Sequence, residues 1–419
     1  MGIFANPLTD LLEYEDFSRD FLKGTDPVGM TGCIDSEKVH FMSTFLGEKK
    51  VQLVVTYNEQ RAREIEEDYK LFCSQVYVIP PRDLIFFSAD LQGNAIIAER
   101  MKAFAALYQN EAKVIITTMD ALMSAAVPFE QLMSHVIKLK EGDELDLEKL
   151  KHDLTVMGYE RVGRVEEPGQ FTVHGGIADV YPLTMEVPVR IELWGDEIDT
   201  IRCFEPQSQR SMDQIECVSV FPAAEVIADD TARRRAVGMI QNELESQLAV
   251  FKKVKEPDKA KRLREETNRI LEALGEDVVL EAPDSYISYF YPRTVQLSEY
   301  FDEKNTLVFL DEPMRLKERG DGVQAEFEES MKNRLEQGFL LPGQTALLTP
   351  AKHVLAAFER GQVAALSSLD SRLADFTVVN SYAVNVQNMN TYREGFELLI
   401  KDLTCLLYTS PSPRDRSVS

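Results

Sequence analysis

This chain has little of several things that chemistry usually needs. Across 419 residues there is one tryptophan, with five histidines and five cysteines. The cysteines stand at 33, 73, 203, 217 and 405. None forms a CxxC pair and none lies near a histidine at metal-ligand spacing, so a structural zinc site is not expected and a reducing cytoplasm is the natural setting. The histidines show no HExxH spacing, no serine sits in a GxSxG elbow, and no nucleophile–base pair stands out. Positive charge is scarce as well. Lys and Arg total 46 against 70 Asp and Glu, a formal charge of −24. So acidic a surface repels phosphate backbones, so strong nucleic-acid binding by this chain alone is not expected. No signal peptide opens the chain, and no apolar run approaches the roughly 18 residues of a membrane span. A monomer without a membrane partner is expected.

Hydrophobic residues make up 44% of the chain, enough for two or three domains with real cores. Residues 1–25 read as a helical lead-in. Val51 to Tyr57 (VQLVVTY) and Val114 to Thr118 (VIITT) are β-branched apolar runs, as expected of strands buried on both faces. Between them lie a helical period over Glu59–Phe72, a short β-like run over Val76–Pro80 and an amphipathic helix over Ala95–Tyr108. Such βαβα alternation predicts a parallel sheet covered by helices. From about 128 the period changes to two, and it stays so to about 225. Asp229 to Gly275 is helical and charged. Leu307 to Leu310 (LVFL) returns to buried-strand character, so the first sheet is expected to be completed only after the insertion.

The most informative block runs from Pro168 to Ser211. It reads PGQFTVHGGIADVYPLTMEVPVRIEL and continues WGDEIDTIRCFEPQSQRS. Two alternating strands meet at a Gly-Gly step, and a hairpin turn follows at Gly195-Asp196. Side chains alternate along a strand. In VPVRIELW, Val189, Ile191 and Leu193 therefore share the core face, and Arg190, Glu192 and Trp194 share the other. Trp and Arg dominate binding hot spots, so an arginine beside the sole tryptophan on a polar face reads as a partner surface. The alternative is a tryptophan lid over a neighbouring strand, with Arg190 paired to Glu192 or Asp196.

Over about fifty positions this block resembles the second domain shared by the excision-repair protein UvrB and the transcription-repair coupling factors. In those families the module docks onto the repair subunit UvrA. The resemblance places Arg190 and Trp194 where the families carry an arginine and an aromatic that contact UvrA. It places His174 where an arginine is usual. Histidine donates hydrogen bonds but is mostly neutral at pH 7, so a weaker contact is implied there; a solvated or locally bonded side chain is the alternative.

Where UvrB-like folds carry a phosphate loop, Gly29 to Ser36 reads GMTGCIDS. A working loop reads GxxxxGK[ST]. Gly29 and Ser36 are in register and Gly32 lies between them, but Ile34 replaces the second glycine and Asp35 the lysine. A carboxylate facing triphosphate repels it, and Lys38 would start about 4.5 Å further along the helix. A second degenerate signal is LVFLDEP, a strand ending in Asp311-Glu312, where a motor would hold magnesium. Neither ATP nor magnesium is therefore expected here. The damage-probing tyrosine hairpin of UvrB is also missing: Tyr77 to Ala95 holds one tyrosine, and Phe86-Phe87 read as core.

The expected fold class is α/β. A degenerate P-loop, helicase-like parallel sheet carries an inserted, mainly antiparallel α+β docking domain and a further C-terminal α/β segment. The expected divisions are 1–127 and 128–227 for the first two domains. Residues 228–340 should be helical and complete the first domain, and 341–404 should begin another α/β domain. Residues 405–419 (CLLYTSPSPRDRSVS) read as a foreign or frame-shifted tail, with a native disordered terminus as the alternative. The resemblance implies an adaptor that recruits UvrA to stalled RNA polymerase. ATP, magnesium, RNA polymerase and double-stranded DNA would be engaged by downstream domains absent here. Rival readings are a UvrB-type ATP-dependent helicase subunit and a stand-alone scaffold. The basic run Lys252 to Arg264 reads as a solvated helical face, or else as a phosphate-facing one.

Overall fold

The computed structural model describes residues 13–48, 50–82, 91–275, 283–369, 376–384 and 396–409; Asp35, Ser36, 91–94 and 406–409 are described by backbone alone. Residues up to 384 form one compact unit, and the helix Phe396–Thr409 belongs to a second.

Seven parallel strands form the larger sheet. In spatial order they are Asn380–Ala383, Val28–Thr31, Val363–Ser367, Thr306–Asp311, Val51–Thr56, Val114–Thr118 and Val76–Ile79. The central strands VQLVVT, VIITT and TLVFLD are buried almost throughout. That is why each reads as an unbroken apolar run. As expected, the first sheet closes after the insertion, because Thr306–Asp311 slots between Val51–Thr56 and Val363–Ser367. The segment from 341 behaves differently from expectation. Its strands Val363–Ser367 and Asn380–Ala383 flank Val28–Thr31 in this same sheet instead of starting a new one. The helix Tyr14–Lys23 lays Phe17 and Phe21 against Phe41, Phe45 and Phe309, with ring centroids 5.0–6.3 Å apart.

The insertion has its own core. Six strands run in the order Ser211–Gln214, Glu197–Phe204, Val189–Trp194, Ile177–Val180, Gln170–His174 and Glu160–Arg161, antiparallel except for the last pair. Two short helices, Phe129–Met133 and Leu147–Val156, interrupt the period of two. Asp146 caps the second through the amides of Glu148 and Lys149, and its Leu150 and Leu154 close the core over Phe171, Ala178, Val189, Ile191 and Ile201. Gly195 takes φ +65° in the Gly195-Asp196 hairpin, a turn that requires the left-handed region.

A buried ion pair ties the end of the insertion to the first domain. Arg100, 1% exposed, grips both oxygens of Glu225 and donates to the Pro80 carbonyl at 2.6 Å. Beyond it, helices Asp230–Lys253 and Pro257–Gly275 form an antiparallel hairpin against the main core. The helix Phe396–Thr409 continues through Cys405 to Thr409, so the change of composition at 405 does not end it. Residues 410–419 lie outside the described residues, as do Phe86 and Phe87. Among the described residues no helix is long and apolar enough to cross a membrane.

Candidate partner-binding face and the carboxyl edge of the sheet

The outer face of the inserted sheet is organised in rows. Thr172, Asp179, Arg190, Arg202 and Gln214 are successive register partners across five strands. A second row holds His174, Ile177, Glu192 and Thr200. The register skips one residue of the strand Glu197–Phe204 at Asp199, a bulge that leaves the alternation along Val189–Trp194 unbroken. Trp194 therefore emerges on the side of Arg190 and Glu192, away from the buried Val189 and Ile191. It is 84% exposed, so it forms no lid over a neighbouring strand.

Arg190 does not pair with Glu192 or Asp196. Its Nε donates to Asp179 Oδ1 at 2.8 Å and its Nη2 to Oδ2 at 2.7 Å. The guanidinium also lies 4.8 Å above the Phe204 ring. Hydrogen bonding to Asp179 raises the arginine pKa further above its already high ordinary value. Two of its five N–H donors are thus committed within the domain. His174 is exposed, its Nε2 3.0 Å from Thr172 Oγ1, which is the locally bonded arrangement. Ile177, its register partner, is 40% exposed. The result is an aromatic and an aliphatic side chain at the hairpin end of a sheet whose middle is a bonded Asp179–Arg190 pair. Leu193, expected in the core, is only partly buried, because it sits at the strand end beside the bulge. Asp179 and Phe204 were not singled out from sequence. Asp179 faces outward next to Arg190 only once the strand register is known.

The second candidate site lies at the carboxyl ends of the parallel strands, where open α/β sheets bind ligands. Gly29 is not in a loop. It lies inside the strand Val28–Thr31, paired with Ala365, and only Gly32, Cys33 and Ile34 separate that strand from the helix Asp35–Ser43. Gly32 takes φ +85°, and any Cβ there would stand 1.9 Å from the Val384 carbonyl oxygen, so glycine is required for that close approach. Ile34 occupies the helix N-cap position without a side-chain cap, and the Asp35 and Ser36 side chains lie outside the described residues.

Lys38, set aside in the motif reading as too far along the helix, bonds the acidic pair instead. Its ammonium donates to Asp311 Oδ1 at 2.7 Å and Glu312 Oε1 at 2.6 Å, with the Lys38 and Asp311 side chains 3% and 1% exposed. Thr56 Oγ1 donates to Asp311 at 2.9 Å, and Arg61 Nε lies 3.4 Å from the same oxygen. The Ser368 amide and hydroxyl donate to Glu312 Oε1 at 2.8 and 2.5 Å. Burial works against the charged Glu312 carboxylate, but hydrogen bonds from Lys38 and Ser368 outweigh it and hold its pKa below the ordinary value. Glu312 itself is left-handed, φ 53°, a strained backbone for a non-glycine residue. Among the described residues no group of three or more His, Cys, Asp or Glu side chains could hold a metal ion.

Residues 137–225 match the family model of the UvrB interaction domain. The chain is 30% identical over 342 residues to the transcription-repair-coupling factor of Bacillus subtilis strain 168, covering 80% of this chain and 29% of that protein. Against the protein of the same name from Staphylococcus epidermidis RP62A it is 30% identical over 348 residues, 82% of this chain and 29% of the relative. For Staphylococcus haemolyticus JCSC1435 the values are 30% over 334 residues, 78% and 28%. The chain thus spans less than a third of the length of these relatives, and the matched stretch contains the whole inserted domain. It belongs, with its UvrB interaction domain, to the transcription-repair-coupling factor family.

Proposed function

We propose that this chain is the adaptor part of a transcription-repair coupling factor. It docks the excision-repair subunit UvrA through the outer face of the inserted sheet, at lesions where RNA polymerase has stalled. The observation that carries this is Trp194. The chain's sole tryptophan is 84% exposed inside a matched UvrB interaction domain, on the same strand face as Arg190. An exposed tryptophan held on a rigid strand loses little conformational freedom on binding, which is what makes such residues hot spots. His174 and Ile177 extend the patch, His174 as a donor and Ile177 as apolar area.

The whole family member is proposed to be an ATP-dependent DNA translocase. Contacts of that translocase with nucleotide, magnesium, polymerase and DNA are proposed to belong to its other domains. A UvrB-type helicase activity within this chain is the weaker reading. Gly29 is locked in a strand, the loop after it is three residues long, and Lys38 already bonds both Asp311 and Glu312.

Titration calorimetry with purified UvrA tests the proposal. A saturable complex is expected. Absence of any heat, with both proteins folded, would overturn it.

A further inference from the structure

Near the tip of the hairpin made by the helices Asp230–Lys253 and Pro257–Gly275, residues of both helices and of the turn between them line a groove of about 780 Å³. Leu248 and Phe251 from the first helix and Ala260 from the second supply its apolar lining, and Lys252, Lys255, Lys261 and Arg264 stand along it. We propose that this groove docks an acidic peptide segment of a partner protein, with an apolar side chain against the lining and carboxylates meeting the basic residues.

Charge complementarity names the occupant. The chain carries a formal charge of −24, yet in this groove those four basic side chains are set against only Glu256 and Glu265. Lys252, Lys255 and Arg264 are exposed and have no hydrogen-bond or ion-pair partner among the described residues. Lys252 suits the C-terminal turn of its helix, where a cation complements the helix dipole. That reason does not extend to Arg264, well inside the second helix. Lys255 keeps its place on a left-handed backbone, φ 60°, which glycine or asparagine would adopt at less cost. The apolar lining separates a peptide from a nucleic acid. A phosphate backbone offers nothing to Leu248 and Ala260, and Glu256 and Glu265 would repel it. Base stacking needs an exposed aromatic face, and Phe251 is only 8% exposed. An amphipathic peptide supplies both an apolar anchor and carboxylates, as in other helix-lined grooves. Val250 and Val254, 48% and 60% exposed, leave further apolar surface at the same tip.

This inference stands apart from the docking face for UvrA, and its failure would leave that face untouched. The test is fluorescence anisotropy with the full chain at about 0.15 M salt, where weak long-range attraction is screened. The probe is a fluorescein-labelled peptide with a central Leu-Phe pair flanked by aspartate and glutamate. A saturable rise in the micromolar range is expected. Lys255→Glu/Arg264→Glu removes two pairings and adds two repulsions, so binding should weaken by about tenfold or more. Both residues are exposed and unpartnered, so the melting curve of that variant should match the parent's. A second peptide keeps every carboxylate but carries serine in place of the Leu-Phe pair, and it too should bind about tenfold more weakly. That comparison uses the parent chain, so it decides even if the double variant unfolds. A labelled DNA duplex of arbitrary sequence should show no saturable binding. The inference is overturned if the acidic peptide does not bind saturably, or if the folded double variant binds it as tightly as the parent. It is equally overturned if the serine peptide binds as well as the first, or if the duplex binds more tightly than the peptide.

Discussion

Asp179 and Arg190 stand opposite each other on adjacent antiparallel strands and share a two-point ion pair, 2.8 and 2.7 Å long. The arginine of the proposed docking face is therefore also part of the domain's own structure. Arg190→Ala strands Asp179, itself 6% exposed, without its partner. An orphaned buried polar or charged group costs about 1–3 kcal/mol or more. Urea unfolding should show a loss of that size for Arg190→Ala, and part of it should return in Arg190→Ala/Asp179→Ala. Equal stability of Arg190→Ala and the parent would show that the pair carries no structural weight.

Two residues on the core face of the same strand should respond differently to truncation. Ile191 is fully buried, whereas Leu193 is partly exposed beside the bulge at Asp199. Ile191→Ala should cost about 2–5 kcal/mol. Leu193→Ala should cost clearly less, because its side chain loses less contact and can be replaced by water. A larger loss at Leu193 than at Ile191 in the same denaturant series would contradict the observed burial.

Stability should fall on the acid side through two carboxylates. Burial opposes the charged form of Glu225, but the charges of Arg100 and Arg82 outweigh it and lower its pKa. Glu312 is lowered too. A folded pKa below the unfolded one gives stability that is fully present above the unfolded value. For glutamate that value is about 4.3. The stability is lost as pH falls through the folded values. Melting temperature should therefore hold steady from neutrality to about pH 5 as far as these groups contribute, and drop below about pH 4. Glu225→Gln should flatten that acid limb. At neutral pH it should cost about 3–5 kcal/mol, since it leaves the buried Arg100 uncompensated. An acid limb as steep as the parent's would rule Glu225 out as a source.

Nucleotide should not bind at the carboxyl edge. Titration with labelled ATP and magnesium should show no saturable component, because Lys38 occupies the acidic pair and only Gly32, Cys33 and Ile34 separate the strand from the helix. Micromolar ATP affinity lost on changing Asp311 would refute this.

Much of this fold could be read locally. The central parallel strands announce themselves because burial on both faces demands runs such as VQLVVT and VIITT. The Gly195-Asp196 turn does so because its backbone requires glycine. Strand order could not be read in that way. Nothing in Val363–Ser367 says that it will lie between Val28–Thr31 and Thr306–Asp311, since parallel neighbours are joined by long crossovers. The exposure of Trp194 followed from a period of two, which the bulge happens not to disturb. The partner of Arg190 did not, because Asp179 becomes its neighbour only through the register of two strands. Lys38 was legible as a residue near the motif but not as its occupant. Its carboxylates come from the far end of the sequence, and no local pattern encodes that meeting.

Affinity for UvrA, measured side by side for the parent and Trp194→Ala, is the most direct test of adaptor function. Trp194 is exposed, so its removal should leave the melting curve unchanged. Loss of a hot-spot tryptophan should weaken the complex by about 2 kcal/mol, roughly thirtyfold in Kd. A Trp194→Ala chain that binds UvrA as tightly as the parent would contradict docking through this face.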